Sequence, residues 1–168
     1  MANANRQPLD LRDRDAIDLG YGIDFHTLLR AIDDAMPKDA ILALKGDAMA
    51  PAVAAFLREH EAADPRELVA NASGKVVVHH LPLANDNLVR LRVLAEDCAS
   101  PEVAFHLAIY RDDEVLLWAH DAGDGSLLVA KSLPPETVER FRSALGATLK
   151  RYPARRYGWF RLRRVRDE

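Results

Sequence analysis

The chain has 168 residues, 49% apolar and 29% charged, with a formal net charge of −3. That is the size of one domain able to bury a proper core, and no apolar run in it approaches the roughly 18 residues of a membrane span. Cys98 is the single cysteine, which excludes an intramolecular disulfide and a multi-cysteine metal cage; with no apolar leader in "MANANRQPLDLRDRD", these features point to a cytoplasmic protein outside any membrane.

Residues 1–20 mix acids, bases and small polar residues without a period, and they read as a flexible N-terminal arm. In "DFHTLLRAIDDAMP", Phe25, Leu28, Leu29, Ile32 and Met36 form one helical stripe, with Asp24 placed as N-cap and Pro37 as the stop. "AILALKG" reads as a buried strand. "DAMAPAVAAFLREHEAA" follows as a helix, with Asp47 placed to cap it and His60 at the edge of its stripe, near the C-terminus.

"DPRELVANASG" is a polar connection to the strand "KVVVHHL", and "NDNLVRLRVLAEDC" is a helix striped by Leu88, Leu91, Leu94, Ala95 and Cys98. From 103 to 130, "VAFHLAIY", "VLLWAH" and "SLLVA" read as three strands joined by the tight turns "RDDE" and "DAGDG". A last helix opens at Pro134 and Pro135 and turns Val138, Phe141, Leu145 and Leu149 to one side.

The order α-β-α-β-α-β-β-β-α predicts an α/β (mixed, α+β-like) domain over residues 21–149. Its five-stranded mixed sheet carries a C-terminal antiparallel meander and is flanked by about four helices. A helical crossover between the first two strands favours a parallel pair. Residues 150–168 form a separate basic aromatic segment.

Two histidine pairs draw attention. His79 and His80 are adjacent on a strand, so the pleat sends their rings to opposite faces and a shared metal is disfavoured. If the first two strands are parallel, however, Lys45, Asp47, His79, His80 and Asn85 emerge on one rim. An anion could bind there, with Lys45 as the charge contact and a histidine as general acid or base. The simpler reading makes Asp47 and Asn85 helix caps and the histidines strand-end residues.

His106, His120 and Asp121 form the second cluster. A regular hairpin that pairs Tyr110 with Val115 sets His106 opposite Ala119 and Phe105 opposite His120. The two histidines then diverge, and no metal is expected unless the register slips by one. Nor does "HDAGDG" supply the spaced oxygen ligands of a calcium loop.

The third feature is the charge asymmetry. Residues 1–149 hold 15 basic and 24 acidic side chains, a balance of −9, whereas 150–168 hold eight and two, a balance of +6. In that segment Arg151, Arg155, Arg156, Arg161, Arg163 and Arg164 interleave with Tyr152, Tyr157, Trp159 and Phe160. The pattern suits docking on the acidic body or on a partner, or stacking and phosphate contact with single-stranded nucleic acid.

No nucleophile elbow, phosphate loop or dinucleotide fingerprint occurs in the sequence. The expectation is therefore a small soluble binding protein without a cofactor. It would act through contacts with a protein partner or a second copy, in a regulatory, chaperone-like or toxin-neutralising capacity. The alternatives are an enzyme or anion binder at the rim, and nucleic-acid binding through the tail.

Overall fold

Asp24 opens the first helix as its spacing predicts: its side chain accepts the Thr27 N–H at 2.8 Å. Partial burial pushes the Asp24 carboxyl up, but hydrogen bonds from Thr27 and the influence of His26 outweigh it, and its pKa lies below the ordinary value. Helix α1 (Phe25–Ala35) stops at Met36, ahead of Pro37. The computed structural model describes residues 11, 15–63, 77–121 and 125–146. Around α1 lie strand β1 (Ala16–Gly20), β2 (Ile41–Gly46), helix α2 (Pro51–Glu59), β3 (Val77–Pro82), α3 (Asn87–Leu94), β4 (His106–Arg111), β5 (Glu114–Ala119), β6 (Leu127–Ala130) and α4 (Pro135–Leu145).

The four helices accompany a six-stranded sheet in the order β1-β6-β5-β4-β2-β3. The additional strand, β1, occupies residues 16–20, which the sequence reads as part of a flexible arm. Asp18 helps to hold it by accepting the Gly20 N–H at 2.8 Å. Every pairing is antiparallel. This corrects the parallel pair expected of β2 and β3. The handedness rule governs only parallel crossovers, and the 30 residues between these strands let the chain re-enter from either end.

Alternation divides the sheet into two apolar faces. Leu42, Leu44, Leu81, Leu107, Ile109, Leu117 and Val129 meet the inner residues of all four helices, among them Leu28, Phe56, Leu91 and Phe141. The helices therefore share one side. The second face carries Ala43, Ala108, Tyr110, Val115, Trp118, Leu128 and Ala130, with Leu11 packed on it. Both faces are buried, which is why these strands read as continuous apolar runs and not as clean alternation.

Between β4 and β5 the two-residue turn Asp112–Asp113 pairs Arg111 with Glu114 and Tyr110 with Val115, as predicted. Asp112 takes a positive φ of 51°. The ladder then shifts: Ile109 pairs with Leu117, leaving Leu116 as an extra residue in β5. This bulge overturns the regular register. Leu107 faces Ala119 and Ala108 faces Trp118.

Two predicted caps also change role. Asp47 is exposed and does not cap α2, which begins at Pro51 behind Ala50. Asn85 belongs to a reverse turn. It and Asp86 have φ of 58° and 57°, and the Asn87 N–H closes the turn onto the Ala84 carbonyl at 3.3 Å. Positive φ at both central residues is the type I′ pattern, and Asn and Asp tolerate it best after glycine. Asn87, itself buried, donates to the Pro82 carbonyl at 3.0 Å and ties the turn back to β3. Helix α3 ends at Leu94, so Leu94 is exposed instead of continuing the stripe and Cys98 is half-buried.

Candidate functional site

Antiparallel pairing takes the proposed rim apart. Lys45 lies opposite Val78 at the start of β3, whereas Pro82 and the Asn85 turn lie at the other end, beside Ile41. Asp47 and Asn85 therefore sit at opposite ends of the strand pair. His79 and His80 fall between them, opposite Leu44 and Ala43.

The pleat separates the two rings as the alternation requires. His79 shares the helix side with Leu44 and Leu81, and His80 shares the second face with Ala43 and Tyr110. Both are buried, at 6% and 5% exposure. Glu61, just beyond α2, joins them across the edge of β3. One carboxylate oxygen accepts the His80 backbone N–H at 2.6 Å, and the other lies 3.1 Å from His79 Nδ1. The Ala62 N–H then donates to the His80 carbonyl at 2.7 Å. Residues 61 and 62 thus satisfy an edge-strand residue that would otherwise offer an open donor and acceptor.

On the other face His80 Nδ1 is 2.9 Å from the Tyr110 hydroxyl, with the rings edge-on. Burial holds His80 below the ordinary imidazole pKa, against an upward pull from Glu61 and with a further downward push from His79. A neutral ring bonded to a phenol, in a buried setting, is the signature of a satisfied core histidine. His60 is similarly engaged: Nδ1 lies 3.0 Å from the Phe56 carbonyl, Nε2 lies 2.8 Å from Arg90, and the ring stacks on Phe56 at 4.4 Å.

The second cluster behaves in the opposite way. The bulge at Leu116 puts His106 and His120 on the same face, beside each other, with ring centroids 4.5 Å apart. The divergence expected from a regular hairpin is thereby corrected. His120 Nδ1 is 2.8 Å from an Asp121 carboxylate oxygen, and the Asp121 N–H donates to His106 Nδ1 at 3.3 Å. One ligand atom from each of His106, His120 and Asp121 lies within 4.8 Å of the others.

The backbone under this cluster is pinned. The His120 N–H donates to Ser126 at 3.0 Å and its carbonyl accepts from Gly125 at 3.0 Å. A Cβ at Gly125 would come within 2.8 Å of His120 Nδ1 and 2.9 Å of its carbonyl oxygen. Only glycine at position 125 fits so close to the imidazole. Lys45 pairs with His106 from β2 and shares its face, so a cation predicted for the rim lies beside the second cluster.

The predicted contact residues Arg151, Tyr152, Arg155, Arg156, Tyr157, Trp159, Phe160, Arg161, Arg163 and Arg164 lie outside the described residues. A surface that the sequence missed lies on α3. Val89, Val93 and Leu94 are 41%, 67% and 38% exposed. Meanwhile Arg90 turns over the Phe56 ring, 5.0 Å from its centroid, and Arg92 pairs with Asp33 at 3.2 Å. The helix directs its cations to the body and leaves its valines outside. The signal was Val89 and Val93 at i and i+4, opposite the leucine stripe. Among the described residues no helix is long and apolar enough to cross a membrane. No protein-family model, curated protein or solved structure matches the chain.

Proposed function

We propose that this chain is a non-catalytic binding protein that works through protein contacts, with the outer face of α3 as a contact surface. The observation that carries the reading is the concentration of exposed apolar side chains. Of four large ones exposed among the described residues, Val89, Val93 and Leu94 lie on this one short helix, and the fourth is Phe105. Exposed Asp86, Glu96 and Asp97 border it. An apolar strip with acids at its margins suits a segment that is both aromatic and basic.

The chain contains such a segment, residues 150–168, with its balance of +6. The occupant we assign is that segment from a second copy. Burying a whole Val or Leu side chain contributes about 1.5–3 kcal/mol, so three partly covered ones supply on the order of 3–4 kcal/mol. A micromolar complex needs about 8 kcal/mol. The strip alone is therefore too small, and the arginines and aromatics must contribute the remainder.

Sedimentation of the 168-residue chain tests this, with Val93→Asp as the variant and a synthetic 150–168 peptide added in trans. Concentration-dependent association and peptide binding, both lost in V93D, support the reading. A wild-type chain that stays monomeric at high concentration and ignores the peptide overturns it. So does a peptide whose sole strong contact is with single-stranded nucleic acid, at an affinity that falls steeply with salt.

A further inference from the structure

We infer that His106, His120 and Asp121 form a binding site for a first-row transition-metal dication of the zinc type. The inference stands apart from the α3 surface. It rests on three observations: the mutual reach of the three donor atoms, the shared face that the bulge creates, and the backbone hydrogen bonds with Gly125 and Ser126 that hold His120.

A tetrahedral ion with ligands at about 2.0–2.1 Å holds them roughly 3.4 Å from one another. Here His120 Nδ1 and the Asp121 carboxylate are already 2.8 Å apart, and all three donors fall within 4.8 Å. The largest closure required is on the order of 1 Å by the same geometry. His120 and Asp121 are already in contact, so the closure lies toward His106; Asp121 is exposed and His106 half-buried, whereas His120 is held at its backbone N–H and carbonyl.

Two imidazoles and one carboxylate select the metal class. Nitrogen donors favour zinc, cobalt, nickel or copper, while magnesium and calcium prefer oxygen donors throughout. Three protein ligands on a partly exposed patch leave at least one position for water or an exogenous ligand, as in zinc sites that are not purely structural. Lys45 stands beside His106, so an anionic ligand at the open position would be favoured over a neutral one.

The same atoms also satisfy one another. His120 Nδ1 faces the carboxylate, and His106 Nδ1 accepts the Asp121 N–H. Binding exchanges these contacts for coordination: a proton on the coordinating nitrogen of a neutral imidazole moves to the other ring nitrogen, and a doubly protonated ring releases one proton to solvent as the metal enters.

Calorimetric titration of the chelator-treated 168-residue chain with Zn2+ is the first measurement, and the visible spectrum with Co2+ is the second. The expected result is saturable 1:1 binding and the intense absorption bands of four-coordinate cobalt. His120→Ala and Asp121→Asn each weaken binding by about tenfold or more. His60→Ala, which removes a histidine already bonded to Arg90 and Phe56, leaves affinity unchanged. Thermal melts of each metal-free variant separate loss of a ligand from loss of fold, and His120→Gln repeats the test with a bulkier replacement. Absence of 1:1 binding, a cobalt spectrum of the free hexa-aquo ion, or equal affinity in wild type and folded H120Q overturns the assignment.

Discussion

Replacing Glu61 with alanine separates a structural role for the His79–His80 pair from a chemical one. Glu61 accepts two hydrogen bonds, from the His80 backbone at 2.6 Å and the His79 ring at 3.1 Å. Its own side chain is 29% exposed, whereas that of His79 is 7% exposed. After truncation, water reaches the edge N–H of His80, and that loss is about 1 kcal/mol. The His79 ring nitrogen is left without its acceptor where water has little access, which costs about 1–3 kcal/mol. The sum is roughly 2–4 kcal/mol, a large share of the 5–15 kcal/mol typical of a domain. With a urea slope of about 1–3 kcal/mol per molar, the midpoint should fall by roughly 1 M or more, with the slope unchanged. Glu61→Gln keeps an acceptor for His80 and presents an amide to His79, whose tautomer can reverse. Its cost should be no more than about 1 kcal/mol. A Glu61→Ala midpoint indistinguishable from wild type would refute the argument that Glu61 closes the β3 edge.

Further outcomes follow from the same contacts. Burial sets the folded pKa of His80 below its unfolded value, so the unfolded chain takes up the proton first as pH falls. His80 thus contributes stability that is complete above about pH 6.5 and is lost as pH drops through the folded pKa. Melting temperatures between pH 7.5 and 5 should decline less steeply in His80→Phe than in wild type, and equal slopes would contradict the assignment. Asp86 holds φ at 57°, so Asp86→Gly should stabilise the turn by up to about 1 kcal/mol and Asp86→Val should destabilise it by about 1–2 kcal/mol, as read by chemical denaturation. Gly125→Ala places a methyl 2.8 Å from His120 Nδ1. It should lower thermal stability and weaken zinc binding together, and a variant that kept both would refute the close approach of Gly125 to His120.

Helix content was legible in the sequence because apolar spacing and local punctuation agree. Asp24 and Pro37 bound α1, and Pro51 and Pro135 stand at the starts of α2 and α4. The turn at 112–113 was legible for the same reason, since two polar residues separate two apolar runs. Strand β1 was not: "AIDLG" is short, and only Leu19 and Gly20 within it are buried. The relative direction of β2 and β3 is a tertiary property, and both strands are apolar enough on both faces to suit either direction. The misplaced caps have a related cause. Asp and Asn serve turns as well as helix starts, so Asp47 and Asn85 satisfied a local rule that the surrounding chain did not use.

The bulge explains why the two histidine pairs exchanged significance. His79 and His80 are neighbours in sequence, and the pleat alone places their rings on opposite faces of the sheet. His106 and His120 are separated by a hairpin, so their relation depends on the residue count around the turn. A regular ladder from the Arg111–Glu114 pair would oppose His106 with Ala119. The extra residue, Leu116, advances the pairing by one and carries His120 to the side of His106. Sequence alternation could not reveal that step, because Val115, Leu116, Leu117 and Trp118 are all buried and any register satisfies them. Identical hydrophobicity on both faces weakens the usual penalty against a one-residue slip. Backbone geometry must then choose the register, and here the chosen register assembles three metal-competent side chains at the open end of a hairpin. The same logic ties the site to the fold: β5 can retain the His106–His120 contact only while Leu116 remains accommodated as the bulged residue or is removed altogether, whereas sliding the pair into the regular register would separate the rings without altering either histidine.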